Sequence, residues 1–285
     1  MELHEKRFLE HTAAKVRIGI IEATHAAKCG HPGGSLSSAD ALTYLYFSEM
    51  NIDPMNPRMD DRDRFVLSKG HSAPGLYSTL ALRGFFPVED LLTLRKTGSY
   101  LTGHPNMNTV PGVDMSTGSL GQGLSVACGM ALGLKNKGSK ARVYVVVGDG
   151  EIQEGQIWEA CMFAAHYRLD NLCVIVDNNG LQIDGNIDQV MSPYPIDKKM
   201  EAFGLYAVTV DGHNFEQLEQ AFLQARQKKG CPTAIILKTV KGKGISFMEN
   251  KAGWHGKAPN AAEYKQAMQE LIEQLDSWEA QNNGA

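Results

Sequence analysis

Two short stretches carry oxygen atoms of the kind a hard cation needs. Gly148-Asp149-Gly150 supplies a carboxylate, and thirty positions beyond Asp149 the run Asp177-Asn178-Asn179-Gly180 supplies side-chain amide oxygen at Asn179. One carboxylate, one amide oxygen and a nearby backbone carbonyl suit Mg²⁺ or Ca²⁺ and leave octahedral positions for water and phosphate oxygens. The glycines flanking Asp149 let a diphosphate approach the backbone, and a helix N-terminus just beyond them favours its negative charge. Either motif alone is ordinary. Asp before a helix is often an N-cap, and Asn-Gly is often a turn.

The segment between them favours the cation. Val143 to Val147 is an apolar, β-branched run too short for a helix and is read as a buried strand. An amphipathic helix is expected from about Glu154 to Tyr167, and a second strand from Leu172 to Val176. A strand–helix–strand unit implies parallel strands with a right-handed crossover. Ligands in such sheets bind at the carboxyl ends of the strands, where Asp149 and Asn179 both fall.

Four of the nine histidines form a second set, each in a loop with glycine: His31 in CGHPGG, His71 in SKGHSAP, His104 in TGHPN and His255 in GWHGK. Functional residues concentrate on such loops. Imidazole also exchanges protons and hydrogen-bonds hydroxyls near neutral pH. His4, His11, His25, His166 and His213 lie in helical or ordinary turn contexts and are read as structural.

The remaining elements alternate in the same way. Helices are expected over residues 5–28 with Gly30 as C-cap, Ala39–Met50 capped by Ser37 or Ser38, Ala73–Arg83, a small-residue stretch to Leu134, Phe215–Lys228 and Ala261 to about Ala280. Strands are expected at Arg64–Leu67, Gly204–Val210 and Thr233–Leu237. The turn Gly30 to Ser35 is assigned to neither, and residues 84–118 look irregular. The alternation points to one doubly wound α/β domain over residues 1–285, a mostly parallel sheet with helices on both faces and the last few residues frayed.

Composition narrows the function. A formal charge of −4 argues against a nucleic-acid surface. Five scattered cysteines without a CxxC pair read as free thiols in a reducing compartment. No apolar run is long enough to span a membrane, and the charged N-terminus is unlike a signal peptide, so the cytoplasm is expected.

Gly-Asp-Gly, about thirty residues, then Asn-Asn resembles the thiamine-diphosphate-binding motif, and GDGEIQEGQIWEA resembles the transketolase branch of those enzymes. The resemblance implies that Asp149, Asn179 and the carbonyl of Leu181 hold the metal, Mg²⁺ or in its place Ca²⁺ or Mn²⁺. Gly150 and Glu151 then offer backbone contacts to the diphosphate. It implies that His31, His71, His104 and His255 line the channel to the thiazolium carbon, with His71 also touching the diphosphate. TGSLGQG matches the cofactor loop, placing Gly118 and Leu120 near the cofactor's rings. Lys69, Lys241 and Lys257 match basic positions seen in part of the family; Lys241 and His255 are added to the cofactor contacts. Glu154 and Glu159 match glutamates at the family's dimer interface.

The resemblance covers roughly residues 10–260 and only the first of the family's three domains. The glutamate that activates the cofactor and the arginines that hold the sugar phosphate belong to the other domains. The expectation is therefore the N-terminal subunit of a split transketolase, inactive alone and completed by a separate C-terminal-half polypeptide in a heterotetramer with two copies of each. It moves a two-carbon ketol unit from a ketose phosphate to an aldose phosphate, as in the pentose phosphate pathway. A sulfonated or branched sugar is an alternative substrate, and a non-catalytic thiamine-diphosphate-binding protein an alternative role. A deoxyxylulose-phosphate synthase fragment is less in keeping with the WHGK loop and the four histidines, and a 2-oxo-acid dehydrogenase subunit shares only Gly-Asp-Gly.

Overall fold

Three short β-branched runs set the centre of the fold. Each is a strand whose side chains alternate between two apolar clusters. Tyr144, Val146, Cys173, Ile175, Ile235 and Leu237 enter one cluster; Val143, Val145, Val147, Leu172, Val174, Val176, Ala234 and Ile236 enter the other. A strand covered on both faces has no polar side, so its sequence reads as a continuous apolar run. Fully burying one such side chain, Ile175 for example, contributes about 1.5–3 kcal/mol.

The computed structural model describes the backbone of residues 1–282 and side chains through residue 276. The strands are β1 (Arg64–Leu67), β2 (Val143–Gly148), β3 (Leu172–Asn178), β4 (Leu181–Gln182), β5 (Gly185–Asn186), β6 (Tyr206–Asp211) and β7 (Thr233–Lys238). Five form a sheet in the order β1-β2-β3-β7-β6, with every neighbouring pair parallel. β4 and β5 form a separate antiparallel hairpin.

The helices are α1 (Leu3–Ala27), α2 (Pro32–Ser37), α3 (Ala39–Tyr44), α4 (Ala73–Arg83), α5 (Gln122–Asn136), α6 (Gly155–His166), α7 (Ile187–Val190), α8 (Ile196–Ala202), α9 (Phe215–Gln227) and α10 (Ala261–Asn282). α1, α3, α4 and α9 cover one face of the sheet, and α5, α6 and α8 the other. A third cluster packs α10 and the segment from Ile245 to Trp254 against α1. The doubly wound arrangement is as expected. Because β1, β2, β3 and β7 run parallel, the segments that follow them emerge at one edge, and those segments carry the site.

Four local expectations are corrected. The turn after His31 is helical: Pro32 opens α2 at its first position, where its missing N–H costs nothing. Ser38 holds the N-cap position of α3 but its side chain makes no capping bond; the hydroxyls of Ser37 and Ser38 both donate to the Gly34 carbonyl, and Ser37 also to Asp177. The second helix is not continuous from Ala39 to Met50, since α3 gives way to a π-helical turn at Leu45–Glu49. Lys28, not Gly30, is the left-handed C-cap of α1, with φ 54°. The expected fraying of the last few residues lies outside the described residues.

Candidate active site

Asp149 follows β2 directly, beside the end of β3. Its N–H donates to the Asp177 carbonyl (3.2 Å), and its carboxylate accepts from the N–H groups of Gly150 (2.9 Å) and Gly180 (2.6 Å). Gly180 sits at φ 74°, a left-handed conformation that glycine adopts without strain. Asn179, one residue earlier, donates from Nδ2 to Asp177 Oδ2 (3.2 Å) and accepts at Oδ1 from the Leu181 N–H (3.1 Å). Burial first, then the charge of Asp177, pushes the Asp149 carboxyl up to about 7, although two N–H groups and Lys241 act against the rise. A buried carboxylate raised in this way is one whose charge lacks a close cation.

Asp149, Asn179 and Leu181 all line one open cleft with about 410 Å³ of free space. Among the described residues no group of three or more His, Cys, Asp or Glu side chains could hold a metal. The oxygen set these three residues bring to the cleft is instead carboxylate, amide and backbone carbonyl, which fits a hard divalent ion. Gly148 and Gly150 form part of the same wall, leaving backbone open to a diphosphate.

Glu151 lines the cleft, but its side chain is turned inward and 2% exposed. It accepts from Ser68 Oγ (2.5 Å) and from the N–H groups of Gly121 (2.9 Å) and Gly148 (3.0 Å). The carboxylate thereby ties the ends of β1 and β2 to the start of α5. Lys69 is equally buried and donates from Nζ to Asp177 Oδ2 (2.5 Å) and to the Gly34 carbonyl (2.7 Å).

Three of the four loop histidines meet. The ring centroids of His31, His71 and His255 lie 5.2, 5.3 and 5.1 Å apart. Gly33 brings two of their loops together: a Cβ there would stand 2.7 Å from the Trp254 carbonyl oxygen. Burial is the first cause that lowers each imidazole, reinforced chiefly by Arg95 for His31, Lys69 for His71 and Lys241 for His255. The values fall to about 4, about 2 and about 3 respectively, so all three rings are neutral at neutral pH. Lys241 Nζ lies 3.1 Å from His255 Nδ1 and 3.4 Å from the Leu181 carbonyl oxygen. Burial, then Lys69, lowers its ammonium to about 8.

His104 is set apart from this triangle. Its ring packs against Gly118, where a Cβ would stand 3.3 Å away, and Gly118 and Leu120 line the cleft. Glu154, the N-cap residue of α6, is exposed on the rim, whereas Glu159 is exposed farther along α6 and does not line the cleft. Lys257 is turned elsewhere: it pairs with Glu263 (2.6 Å) and covers the Trp254 ring.

Sequence reasoning missed two features. Asp177, the anchor of Lys69 and Asn179, was signalled only by an aspartate closing an apolar strand. The turn of the β4–β5 hairpin, Ile183 and Asp184, together with Gln182, supplies part of the cleft wall. Among the structurally read histidines, His25 stacks on Tyr264, and His213 joins Asp40 to the Val240 N–H.

Comparison with known proteins identifies the family and the fold. Residues 9–279 match the family described as transketolase, thiamine diphosphate binding domain. The chain is 45% identical to the 6-deoxy-6-sulfo-D-fructose transketolase subunit SqwG of Clostridium sp. (strain MSTE9), over 92% of this chain and 96% of that protein. It is 42% identical to an apulose-4-phosphate transketolase subunit of Phocaeicola vulgatus, over 97% of this chain and 98% of that protein. The crystal structure of transketolase from Campylobacter jejuni superposes with a TM-score of 0.88 at 32% identity, covering 97% of this chain but 43% of that one. The chain thus spans nearly the full length of relatives named as subunits and less than half of the longer enzyme, and it belongs to the transketolase family as a thiamine diphosphate binding domain.

Proposed function

We propose that this chain is the cofactor-binding subunit of a transketolase divided between two polypeptides. It transfers a two-carbon ketol unit from a ketose phosphate to an aldose phosphate once a C-terminal-half subunit completes the site. The observation that carries this is the meeting in one cleft of an uncompensated buried carboxylate, Asp149, with Asn179 and three neutral imidazoles.

Asp149, Asn179 Oδ1 and the Leu181 carbonyl hold Mg²⁺, with Ca²⁺ or Mn²⁺ as substitutes. The backbone of Gly150 and Glu151 receives the diphosphate, with His71, His255 and Lys241 nearby, and Gly118 and Leu120 border the rings. Thiamine diphosphate supplies the electron sink that cleavage between carbons two and three of a ketose requires. His31, His71, His104 and His255 bind sugar hydroxyls. A neutral imidazole both donates and accepts, so each can hold a hydroxyl proton or pass it on. Glu154 lies at a subunit contact. Residues 1–285 act as one domain, in a cytoplasmic heterotetramer with two copies of each subunit.

The division into subunits is supported by relatives of the same length being named subunits. The same relatives favour a second reading of the substrate, because one is named for 6-deoxy-6-sulfo-D-fructose and the other for apulose 4-phosphate. The test is ketol transfer with thiamine diphosphate and Mg²⁺, run with the chain alone and mixed with the candidate partner. Xylulose 5-phosphate with ribose 5-phosphate is set against 6-deoxy-6-sulfo-D-fructose and apulose 4-phosphate. Activity in the mixture alone supports the divided enzyme, and the preferred sugar selects the substrate reading. Activity from the chain alone refutes the need for a partner.

A further inference from the structure

We infer that Asp177 is a positioning residue for the cation, because it dictates which end of the Asn179 amide faces the cleft. Asp177 is the penultimate residue of β3 and is 1% exposed. Its Oδ1 accepts from Thr239 Oγ1 (2.5 Å); its Oδ2 accepts from Ser37 Oγ (2.6 Å), Lys69 Nζ (2.5 Å) and Asn179 Nδ2 (3.2 Å). An ionised carboxylate has no hydrogen to donate, so only the NH₂ end of an amide can face it. The Asn179 oxygen is therefore turned away from Asp177, where it accepts from the Leu181 N–H and keeps a lone pair for a cation. With a neutral partner at position 177, either end of the amide could face inward.

Lys69 makes this placement tolerable. Asp177 stands opposite Gly148 in the β2–β3 register, one residue before Asp149. An uncompensated second carboxylate so close would oppose the first. The Lys69 ammonium pairs with it, which offsets part of that opposition. The donors to Asp177 come from α2, the segment after β1 and the segment after β7. The same carboxylate therefore locks the amide to the loops that carry His31, His71 and Lys241.

The inference rests on Asp149 and Asn179 being cation ligands, and its test separates the two claims. Mn²⁺ affinity is measured by electron paramagnetic resonance on the full chain with thiamine diphosphate, normalised to the folded fraction. The variants are Asp177→Asn and Thr239→Val; the second withdraws one hydrogen bond from Asp177 without removing its charge. The expected losses are about tenfold for Asp177→Asn and about threefold for Thr239→Val, the larger following from the free amide orientation. A purely structural role would lower the melting temperature and leave Mn²⁺ affinity of the folded protein unchanged, and that outcome overturns the inference. If Asp177→Asn does not fold, Thr239→Val alone decides by the same criterion. Failure of the unaltered chain to bind Mn²⁺ removes the cation site itself, and this inference with it; equal binding by unaltered and variant chains removes only the role of Asp177.

Discussion

Two buried carboxylates in this protein have opposite surroundings. Asp40, on α3, accepts from both Nη atoms of Arg17 (3.1 and 2.5 Å) and from His213 Nδ1 (2.7 Å). His213 Nε2 accepts from the Val240 N–H, which leaves the ring proton on Nδ1, facing Asp40. Burial alone would raise the Asp40 carboxyl, but Arg17 and His213 hold it well below the usual carboxylate range. Asp149 is as deeply buried, yet its own hydrogen bonds come from backbone N–H groups and its carboxyl is pushed up to about 7. The first cluster is complete within one chain and joins α1, α3 and the loops after β6 and β7. The second has Lys241 nearby but no ion pair among the described residues, and it opens on the cleft. Burial of charge is therefore not by itself a sign of function; at Asp149 the sign is a buried carboxylate without an ion pair that opens on a cleft beside Asn179.

Exchanging the two carboxylates' roles gives the largest expected effects. Asp149→Asn should reduce cation-dependent thiamine diphosphate binding by roughly 100-fold or more, read by titration calorimetry. Its melting temperature should hold or rise, because an uncompensated buried charge is removed. Asp40→Asn should do the reverse. Stranding Arg17 should cost about 3–5 kcal/mol in urea unfolding, while cation affinity of the folded protein stays unchanged.

A smaller effect separates the clusters by pH. His31, His71 and His255 have folded values below the ordinary imidazole value, so between that value and their folded ones the unfolded chain binds more protons. Their contribution is fully present above about pH 6.5 and is lost as pH falls. Asp149 runs the other way: its folded value lies above the ordinary one, so its contribution is present at low pH and lost as pH rises toward about 7. Urea unfolding at about pH 7.5 and about pH 5 should show a net loss on acidification, and a larger loss in Asp149→Asn, which lacks the opposing group. The smallest effect is at Lys257, whose exposed pair with Glu263 lies outside the cleft. Lys257→Ala should change stability by no more than about 1 kcal/mol and leave cation binding intact.

The central strands β2, β3 and β7 were legible because they are buried on both faces and so read as apolar runs. Asp149 and Asn179 were legible because each ends such a run. The helical turn after His31 was not, since Pro-Gly-Gly-Ser is a poor helix locally; α2 exists because it is packed between β1's loop and the segment around Trp254. Lys69 and Lys241 stood out only through the family resemblance, since their local sequence gives no sign that they are buried. Their burial depends on the ends of β3 and β7 being neighbours, and strand order is absent from local sequence. Lys257 shares the motif context of His255, yet its ammonium pairs with Glu263 of α10 and does not line the cleft.

The most direct test of an incomplete charge at Asp149 is thiamine diphosphate binding by the unaltered chain, with Mg²⁺ and then with excess chelator. Binding that is present with Mg²⁺, lost in chelator and absent from Asp149→Asn in either condition is the expected result. Equal binding with and without the metal, or full Mg²⁺-dependent binding by Asp149→Asn, would contradict the assignment of Asp149 as the residue that brings cation and diphosphate together.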